Sequence, residues 1–326
     1  MIISSERGQR PTSFETLTHS QSASQCPFCP GHESATPPEV LAFRDEGTAP
    51  NTPGWRVRVA SNKYPALKVE GALKREPRGV YDRMSGIGAH EVIIETPEHH
   101  LDMADMTIDQ IKDILWAYRE RMLDLQKDIR FKYILVFKNH GAAAGASLEH
   151  THSQLIATPI VPKRVAEELV GARNYFSFRE RCVFCDMLRQ EINEKERVVR
   201  EMDGFLSMQP FAARFPFETW IIPTVHQSSF LDMSDEQYTQ LAACMKDTLI
   251  RLKVALNDPP YNFMLHTRPI EKEAEEYYHW HIEVIPKLTR VAGFEWGTGF
   301  FINSTPPEEA ARFLQSVDIE KRVNQV

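Results

Sequence analysis

The sequence predicts an α+β fold in two tandem halves, each an antiparallel sheet carrying one principal helix and one metal site. Three observations predict it. An order of metal-ligating residues, Cys-x-x-Cys, then a lone His, then His-x-His, occurs twice: Cys26 and Cys29, His99, His150 and His152; then Cys182 and Cys185, His226, His279 and His281. The lone histidines lie 127 positions apart, and the residues after each keep that register, with Asp105-Met106-Thr107-Ile108-Asp109-Gln110 over Asp232-Met233-Ser234-Asp235-Glu236-Gln237. In each half, several short β-rich runs surround one long amphipathic segment, an order that builds antiparallel sheets rather than parallel crossovers. The duplication divides the chain into residues 1–165 and 166–326.

The elements follow in order. Residues 34–53 are rich in Pro, Thr and Gly and read as a surface loop. Strands are predicted at 55–60 and 91–95 from β-branched and apolar residues. Thr107-x-x-Gln110 is a capping box, in which the hydroxyl accepts from first-turn amides and the Gln reaches back. It opens a helix whose Ile111, Ile114, Leu115, Tyr118, Met122 and Leu125 recur at helical spacing. Strands at 133–137 and 154–158 complete the first half, and 163–180 forms a helix and connector. After a strand at 219–222, the capping box Ser234-x-x-Gln237 opens the second long helix, with Tyr238, Leu241, Cys244, Met245, Leu249 and Leu252 on one face. Strands at 263–266 and 280–285 follow, separated by the acidic stretch 271–276, which reads as a solvated loop.

Composition narrows the function. With 326 residues, 42% hydrophobic and 25% charged, the chain can bury two cores of domain size. A net charge of −7 without any Lys/Arg run argues against a nucleic-acid partner, which needs a basic face. No apolar run approaches the roughly 20 residues of a membrane helix, and residues 1–11 lack a signal-peptide core. Four of the five cysteines sit in the two Cys-x-x-Cys pairs, a usage that suits a reducing compartment. The expectation is a soluble cytoplasmic protein.

Two thiolates and two imidazoles form the tetrahedral set that zinc prefers, so each half is expected to hold one zinc. In the second half His281 competes with His279 for that role. Residues i and i+2 of a strand share a face, so spacing alone does not separate ligand from catalyst within either His-x-His. The surroundings do. Asn139-His140-Gly141-Ala142-Ala143-Ala144-Gly145-Ala146-Ser147 precedes the first pair, and its small residues let backbone approach a phosphate. Ser153 and Gln154 follow it. The second pair has no such lead, which makes the first half a phosphate-handling site and the second a decayed structural copy. One histidine of the first pair is spent on zinc; the other is free to attack phosphorus or to act as a general base.

With these residues in view, the chain resembles the galactose-1-phosphate uridylyltransferase family of the histidine-triad superfamily over nearly its whole length. The resemblance rests on Ser4-Ser5-Glu6-Arg7-Gly8-Gln9-Arg10-Pro11, Cys26-Pro27-Phe28-Cys29, Asn62-Lys63-Tyr64-Pro65-Ala66-Leu67, Thr96-Pro97-Glu98-His99, the stretch 137–154 and Gly293-Phe294-Glu295-Trp296. It implies two histidine-triad-like domains, a homodimer, and zinc on Cys26, Cys29, His99 and His150. It implies that His152 is the nucleophile that becomes nucleotidylated, that Gln154 bonds the transferred phosphoryl group, and that Asn139, Gly145 and Ser147 line the phosphate site. Asn62 and Lys63 would lie near the nucleoside, Arg7 and Arg10 would reach phosphates across the dimer, and Glu295 would contact the hexose. The second zinc set is Cys182, Cys185, His226 and His279.

The chain departs from the best-studied bacterial members at Thr151, where they have Pro, and at Phe301, where they have a hexose-contacting Gln. Their second site also lacks the pair Cys182 and Cys185, a feature that looks more like the branch containing plant ADP-glucose phosphorylase. The expected activity is therefore UDP-glucose:hexose-1-phosphate uridylyl transfer by a ping-pong route. The alternatives are an ADP-glucose phosphorylase using phosphate as acceptor, and a zinc-stabilised nucleotide-binding protein without turnover.

Overall fold

A computed structural model of the chain describes Ile2 and residues 22–319. Ten of its strands form one continuous antiparallel sheet, five from each half. The first half contributes β1 (Glu39–Arg44), β2 (Trp55–Ser61), β5 (Ala89–Ile94), β6 (Tyr133–His140) and β7 (His152–Thr158), with β3 (Arg75–Arg78) and β4 (Tyr81–Met84) forming a separate hairpin. The second half contributes β8 (Val198–Met202), β9 (Phe205–Met208), β10 (Thr219–Pro223), β11 (Tyr261–His266) and β12 (His281–Pro286). The order across the sheet is β1-β2-β5-β7-β6-β11-β12-β10-β9-β8, so the two halves run outward from a central seam in matching sequence. The seam is the pairing of β6 with β11, Val136 opposite Leu265 and Asn139 opposite Asn262.

Both long helices start where the capping boxes place them. Helix α1 (Ile108–Leu125) is capped by Thr107 with Gln110, and α4 (Asp235–Ala255) by Ser234 with Gln237. They lie side by side on one face of the sheet, joined by the Trp116–Tyr238 ring contact at 5.3 Å. One apolar core unites Ile111, Ile114, Leu115, Tyr118, Leu241, Met245 and Leu249 with sheet residues Val59, Ile93, Val136, Leu155, Leu265, Ile282 and Val284. Helices α2 (Lys163–Arg179) and α3 (Val183–Glu194) build a second core with Leu206, Met208, Ile222 and Tyr278 of the second half. Helices α5 (Gly293–Thr298) and α6 (Pro307–Gln315) end the described chain.

Several local expectations change. The 34–53 segment is not all loop, because Glu39–Arg44 pairs with β2 as an edge strand. Its anchor is Glu39, whose carboxylate pairs with Arg44 at 2.7 Å and with the buried Arg58 at 3.2 Å. The β8–β9 hairpin turns at Asp203 and Gly204, with φ of 31° and 86°, an Asp-Gly signal between apolar runs that the sequence reading passed over. Strand β7 begins at His152, so His150 lies just ahead of the strand rather than within it. Cys182 and Cys185 sit at the cap and first turn of α3. The residue 165/166 division falls inside α2.

Because the seam strands are central, unfolding of either half should be coupled to the other. Phe263 is fully buried in β11, and Phe263→Ala should cost about 3–5 kcal/mol. Urea denaturation followed by circular dichroism and tryptophan fluorescence should show one transition, shifted as a whole; two separated transitions would show that the halves unfold independently.

Candidate active site

The first ligand set converges. Cys26, Cys29, His99 and His150 bring one ligand atom each within 4.8 Å of one another, all buried. Cys29 Sγ lies 3.2 Å from His99 Nδ1 and 3.5 Å from His150 Nδ1, and Cys26 Sγ lies 3.6 Å from His150 Nδ1. A tetrahedral zinc with its usual bond lengths separates its sulfur and nitrogen ligands by roughly 3.5 Å, so the donors fit. His150 Nε2 donates to Thr96 O at 2.8 Å, which leaves Nδ1 as the lone-pair nitrogen facing the thiols. Burial pushes the Cys26 thiol up to about 11, and a bound cation would favour its thiolate. The second set, Cys182, Cys185, His226 and His279, has the same geometry: Cys185 Sγ is 3.3 Å from His226 Nδ1 and 3.6 Å from His279 Nδ1. Their Nε2 atoms donate to Glu275 O and Pro223 O. His281 stands outside this set.

His152 points elsewhere. It heads β7, and strand alternation carries His152 and Gln154 to the face away from α1. There they line a cavity of about 390 Å³ with Phe28, Asn62, Lys63, Asn139, Gly145 and Ser147. His152 Nδ1 donates to His150 O at 2.8 Å, so the ring's free lone pair is on Nε2. Burial holds its pKa down at about 4, and at neutral pH the imidazole is uncharged and nucleophilic. Phe28, between the two cysteines, packs edge-on against the His152 ring at 5.2 Å. The small-residue loop after β6 turns through Gly141 and Gly145, with φ of 78° and 90°, conformations that a side chain rarely adopts. Asn262 of β11 braces this loop by donating to Asn139 Oδ1 at 2.8 Å and Ala144 O at 2.9 Å.

The residues alternating with His152 and Gln154 face the helix layer, where they meet a buried ion pair. Lys138, 1% exposed, donates to Glu95 at 2.5 Å, to Thr151 Oγ1 at 2.6 Å and to His152 O at 3.4 Å. Thr151, Ser153 and Tyr118 also bond the Glu95 carboxylate. Burial pushes the Glu95 carboxyl up, but Lys138 and the hydroxyls outweigh it and hold the group below its usual range. Thr151 is thus part of the scaffold beneath His152.

In the second half the corresponding space is filled. His281 is 0% exposed and donates from Nδ1 to His279 O at 3.2 Å, as His152 does to His150. Trp220 stacks on its ring at 4.6 Å from the register position of Val92, and His266 stacks at 4.8 Å from that of Asn139. Glu168 of α2 closes the Nε2 side at 3.4 Å. Glu283 stands where the first half has Gln154.

The cavity therefore gathers Asn62, Lys63, Asn139, Gly145, Ser147, His152 and Gln154. Glu295 is not among its residues. Its carboxylate accepts from Ala292 N at 3.1 Å and caps α5. Arg7 and Arg10 lie outside the described residues. The sequence reading missed Asn262, Lys138, Glu95 and His90; the last donates to Gln154. Asn262, Glu95 and His90 belong to no motif singled out above, and Lys138 lies within the 137–154 stretch with no role assigned to it there. Among the described residues no helix is long and apolar enough to cross a membrane.

Comparison with known proteins agrees with this geometry. Residues 5–162 match the family description "Galactose-1-phosphate uridyl transferase, N-terminal domain", and residues 168–301 match its C-terminal domain. The chain is 38% identical to an ADP-glucose phosphorylase of Arabidopsis thaliana, covering 98% of this chain and 90% of the relative. It is 30% identical to a galactose-1-phosphate uridylyltransferase of Thermotoga maritima, over 98% and 96%. Among solved structures, the A. thaliana ADP-glucose phosphorylase with bound ADP-glucose superposes with a TM-score of 0.79 at 38% identity, covering 96% of this chain and 94% of that one. A uridylyltransferase structure gives 0.79 at 31%, over 92% and 93%.

Lys138→Met leaves the Glu95 carboxylate buried without a cation and should cost about 3–5 kcal/mol of stability in a denaturant titration. Adding Glu95→Gln should recover part of that loss. Equal stability of wild type and Lys138→Met would show that the pair contributes nothing to the scaffold.

Proposed function

Because the chain belongs to the galactose-1-phosphate uridylyltransferase family of nucleotidyltransferases, we propose that it transfers a nucleotidyl group by double displacement through His152. The observation that carries this reading is the His152 ring: Nδ1 is committed to His150 O, and Nε2 keeps its lone pair in a ring that lines the cavity. Nε2 attacks the α-phosphorus of a nucleoside diphosphate sugar. The bond from that phosphorus to the bridging oxygen breaks, and the sugar 1-phosphate leaves with the electron pair. In the second step an oxygen of an acceptor phosphate attacks the same phosphorus, and the phosphorus–nitrogen bond breaks to regenerate His152. Ser147, the Gln154 amide and backbone N–H groups of the 141–147 loop supply donors where charge accumulates on the phosphoryl oxygens. Asn62 and Lys63 lie on the nucleoside side.

The donor in this reading is UDP-glucose and the acceptor a hexose 1-phosphate such as galactose 1-phosphate. A second reading, adenylyl transfer from ADP-glucose to inorganic phosphate, is favoured by the 38% identity to the plant ADP-glucose phosphorylase, against 30% to the T. maritima enzyme. The free imidazole in the cavity argues against a binding protein without turnover.

Zinc on Cys26, Cys29, His99 and His150 would hold the strand entry in place, and a second zinc on Cys182, Cys185, His226 and His279 would tie the start of α3 to the segments after β10 and before β12. Both sets are closed, so the ion's contribution is structural. On this reading residues 1–165 carry the chemistry and residues 166–326 the second metal and the sugar-facing segment. Glu295 caps its own helix, away from the cavity of its chain, beside the exposed Phe294, Trp296, Phe300 and Ile302. This favours a homodimer in which that segment reaches the neighbour's cavity, with Arg7 and Arg10 taking part in the same exchange. The cysteine usage favours a cytoplasmic setting.

Mixing the protein with UDP-glucose or ADP-glucose without acceptor should add the mass of one nucleotidyl group, and the added mass identifies the base. Peptide mapping should place an acid-labile, alkali-stable adduct on His152. His152→Gly should abolish it at unchanged zinc content. Label on His150 or Ser153, or none under turnover conditions, would overturn the mechanism. Metal analysis should give two zinc ions per chain and one fewer in Cys182→Ser.

A further inference from the structure

We propose that His90 is a positioning residue, whose ring N–H fixes the Gln154 side chain so that its NH2 group, and not its oxygen, meets the phosphoryl group. The inference rests on the phosphoryl-transfer reading of His152 and Gln154 and assigns a residue outside every motif that points to that chemistry. His90 lies on β5, 3% exposed, on the strand face shared with the cavity residues Val92 and Ile94. The Ala66 N–H donates to its Nδ1 at 3.0 Å. In a neutral imidazole the proton is then on Nε2. That N–H donates to Gln154 Oε1 at 3.0 Å.

A glutamine amide has two ends of nearly equal size and opposite polarity. Turned one way it offers donors to an anionic phosphoryl oxygen; turned the other way it sets a carbonyl oxygen against it. With Oε1 tied to His90, the amide NH2 has no hydrogen bond to protein among the described residues and is left for the cavity. The same residue also meets the nucleoside segment. Asn62 N donates to the His90 backbone O at 2.8 Å, and Asn62 Nδ2, whose Oδ1 accepts from Tyr64 N at 2.8 Å, lies 3.2 Å from Nε2, whose proton is directed to Gln154. Ala66, four residues on, sets the tautomer. The phosphate donor and the segment next to the nucleoside are thereby positioned from one residue.

The duplication supplies an internal comparison. His90 lies opposite Ile156 on β7, and Gln154 opposite Val92. At the matching register in the second half stand Glu218, immediately before Thr219, and Glu283 opposite Trp220. These two carboxylates are bridged by Arg214, at 3.0 Å and 2.6 Å. Acids committed to Arg214 at these positions offer a phosphoryl group no amide donor. The His–Gln pair goes with the half that holds the open cavity.

The test measures the rate of nucleotidyl adduct formation at saturating UDP-glucose or ADP-glucose in the full-length, zinc-loaded protein, together with donor binding. His90→Gln keeps a donor for Oε1; His90→Leu removes it; His90→Glu offers an acceptor that turns the amide over. The expected order of rates is wild type, then His90→Gln, His90→Leu and His90→Glu, with about a 10²-fold loss for His90→Leu and donor affinity changed far less. In a Gln154→Ala background the three substitutions should have little further effect, because His90 acts through that amide. His90→Gln, the least disruptive change, decides the matter if the others do not fold: it should be the fastest variant in the wild-type background and indistinguishable from its parent in the Gln154→Ala background. Losses that add to that of Gln154→Ala, or a His90→Glu variant as fast as His90→Gln, overturn the proposal. If wild type labels at His152 and the losses add, this inference alone fails. If wild type gives no adduct with either donor, the phosphoryl-transfer reading fails with it.

Discussion

The entry into β7 constrains everything around it, because five consecutive residues there are sent to three different environments. His150 turns to the buried thiols, Thr151 and Ser153 turn to the Glu95 carboxylate, and His152 and Gln154 turn to the cavity. A shift of one residue would exchange these destinations, placing a polar cluster in the cavity and the imidazole in the core. The register is held from three sides. Strands β5 and β6 pair with β7 on its two edges, His150 two residues before it is held among Cys26, Cys29 and His99, and Lys138 bonds both Thr151 and the His152 carbonyl. The orientation of the His152 ring is thus set by groups that do not line the cavity.

The buried polar groups on the helix side follow from the same constraint. An unpaired carboxylate there would be costly, and Glu95 is satisfied by a lysine and three hydroxyls. Such a network leaves few alternative packings for the strands it joins. The cavity side has the opposite character. Its polar groups face open space, and two of them are aimed by neighbours: Nε2 of His152 by His150 O, and the Gln154 amide by His90.

The second half repeats the fold of the first without its cavity. The second half keeps the strand order, the capping box, the metal-ligand set and the hydrogen bond from His281 to the preceding His279 carbonyl. What it lacks is space. Trp220, His266 and Glu168 occupy the volume that is cavity around His152, and Glu283 replaces the neutral amide. Packing two helices on that face of the second half, with Tyr278 and Phe184 beneath them, gives an apolar core where the first half has a binding surface.

The sequence by itself determined the duplication, the two Cys-x-x-Cys pairs with the lone histidine that follows each, both helix starts and the identity of the free histidine's half. Each of these is written in local chemistry: a hydroxyl three residues before an amide, two cysteines three residues apart, small residues before a His-x-His. The edge strand at Glu39–Arg44 escaped notice because its Pro-rich surroundings read as loop, whereas it is held by pairing with β2 and by the ion pair from Glu39 to Arg58, 19 positions on. Only the tertiary structure decided that His279 joins the second ligand set while His281 is walled in, since period-two spacing gives both rings equal claim. It alone joined the halves through β6 and β11, set Lys138 against Glu95, and placed His90 beside Gln154, contacts 43 and 64 positions apart. It also left Glu295 outside its own chain's cavity. Sheet pairing brings such residues together through backbone hydrogen bonds that every sequence can make, so no side-chain pattern near either residue announces the partner.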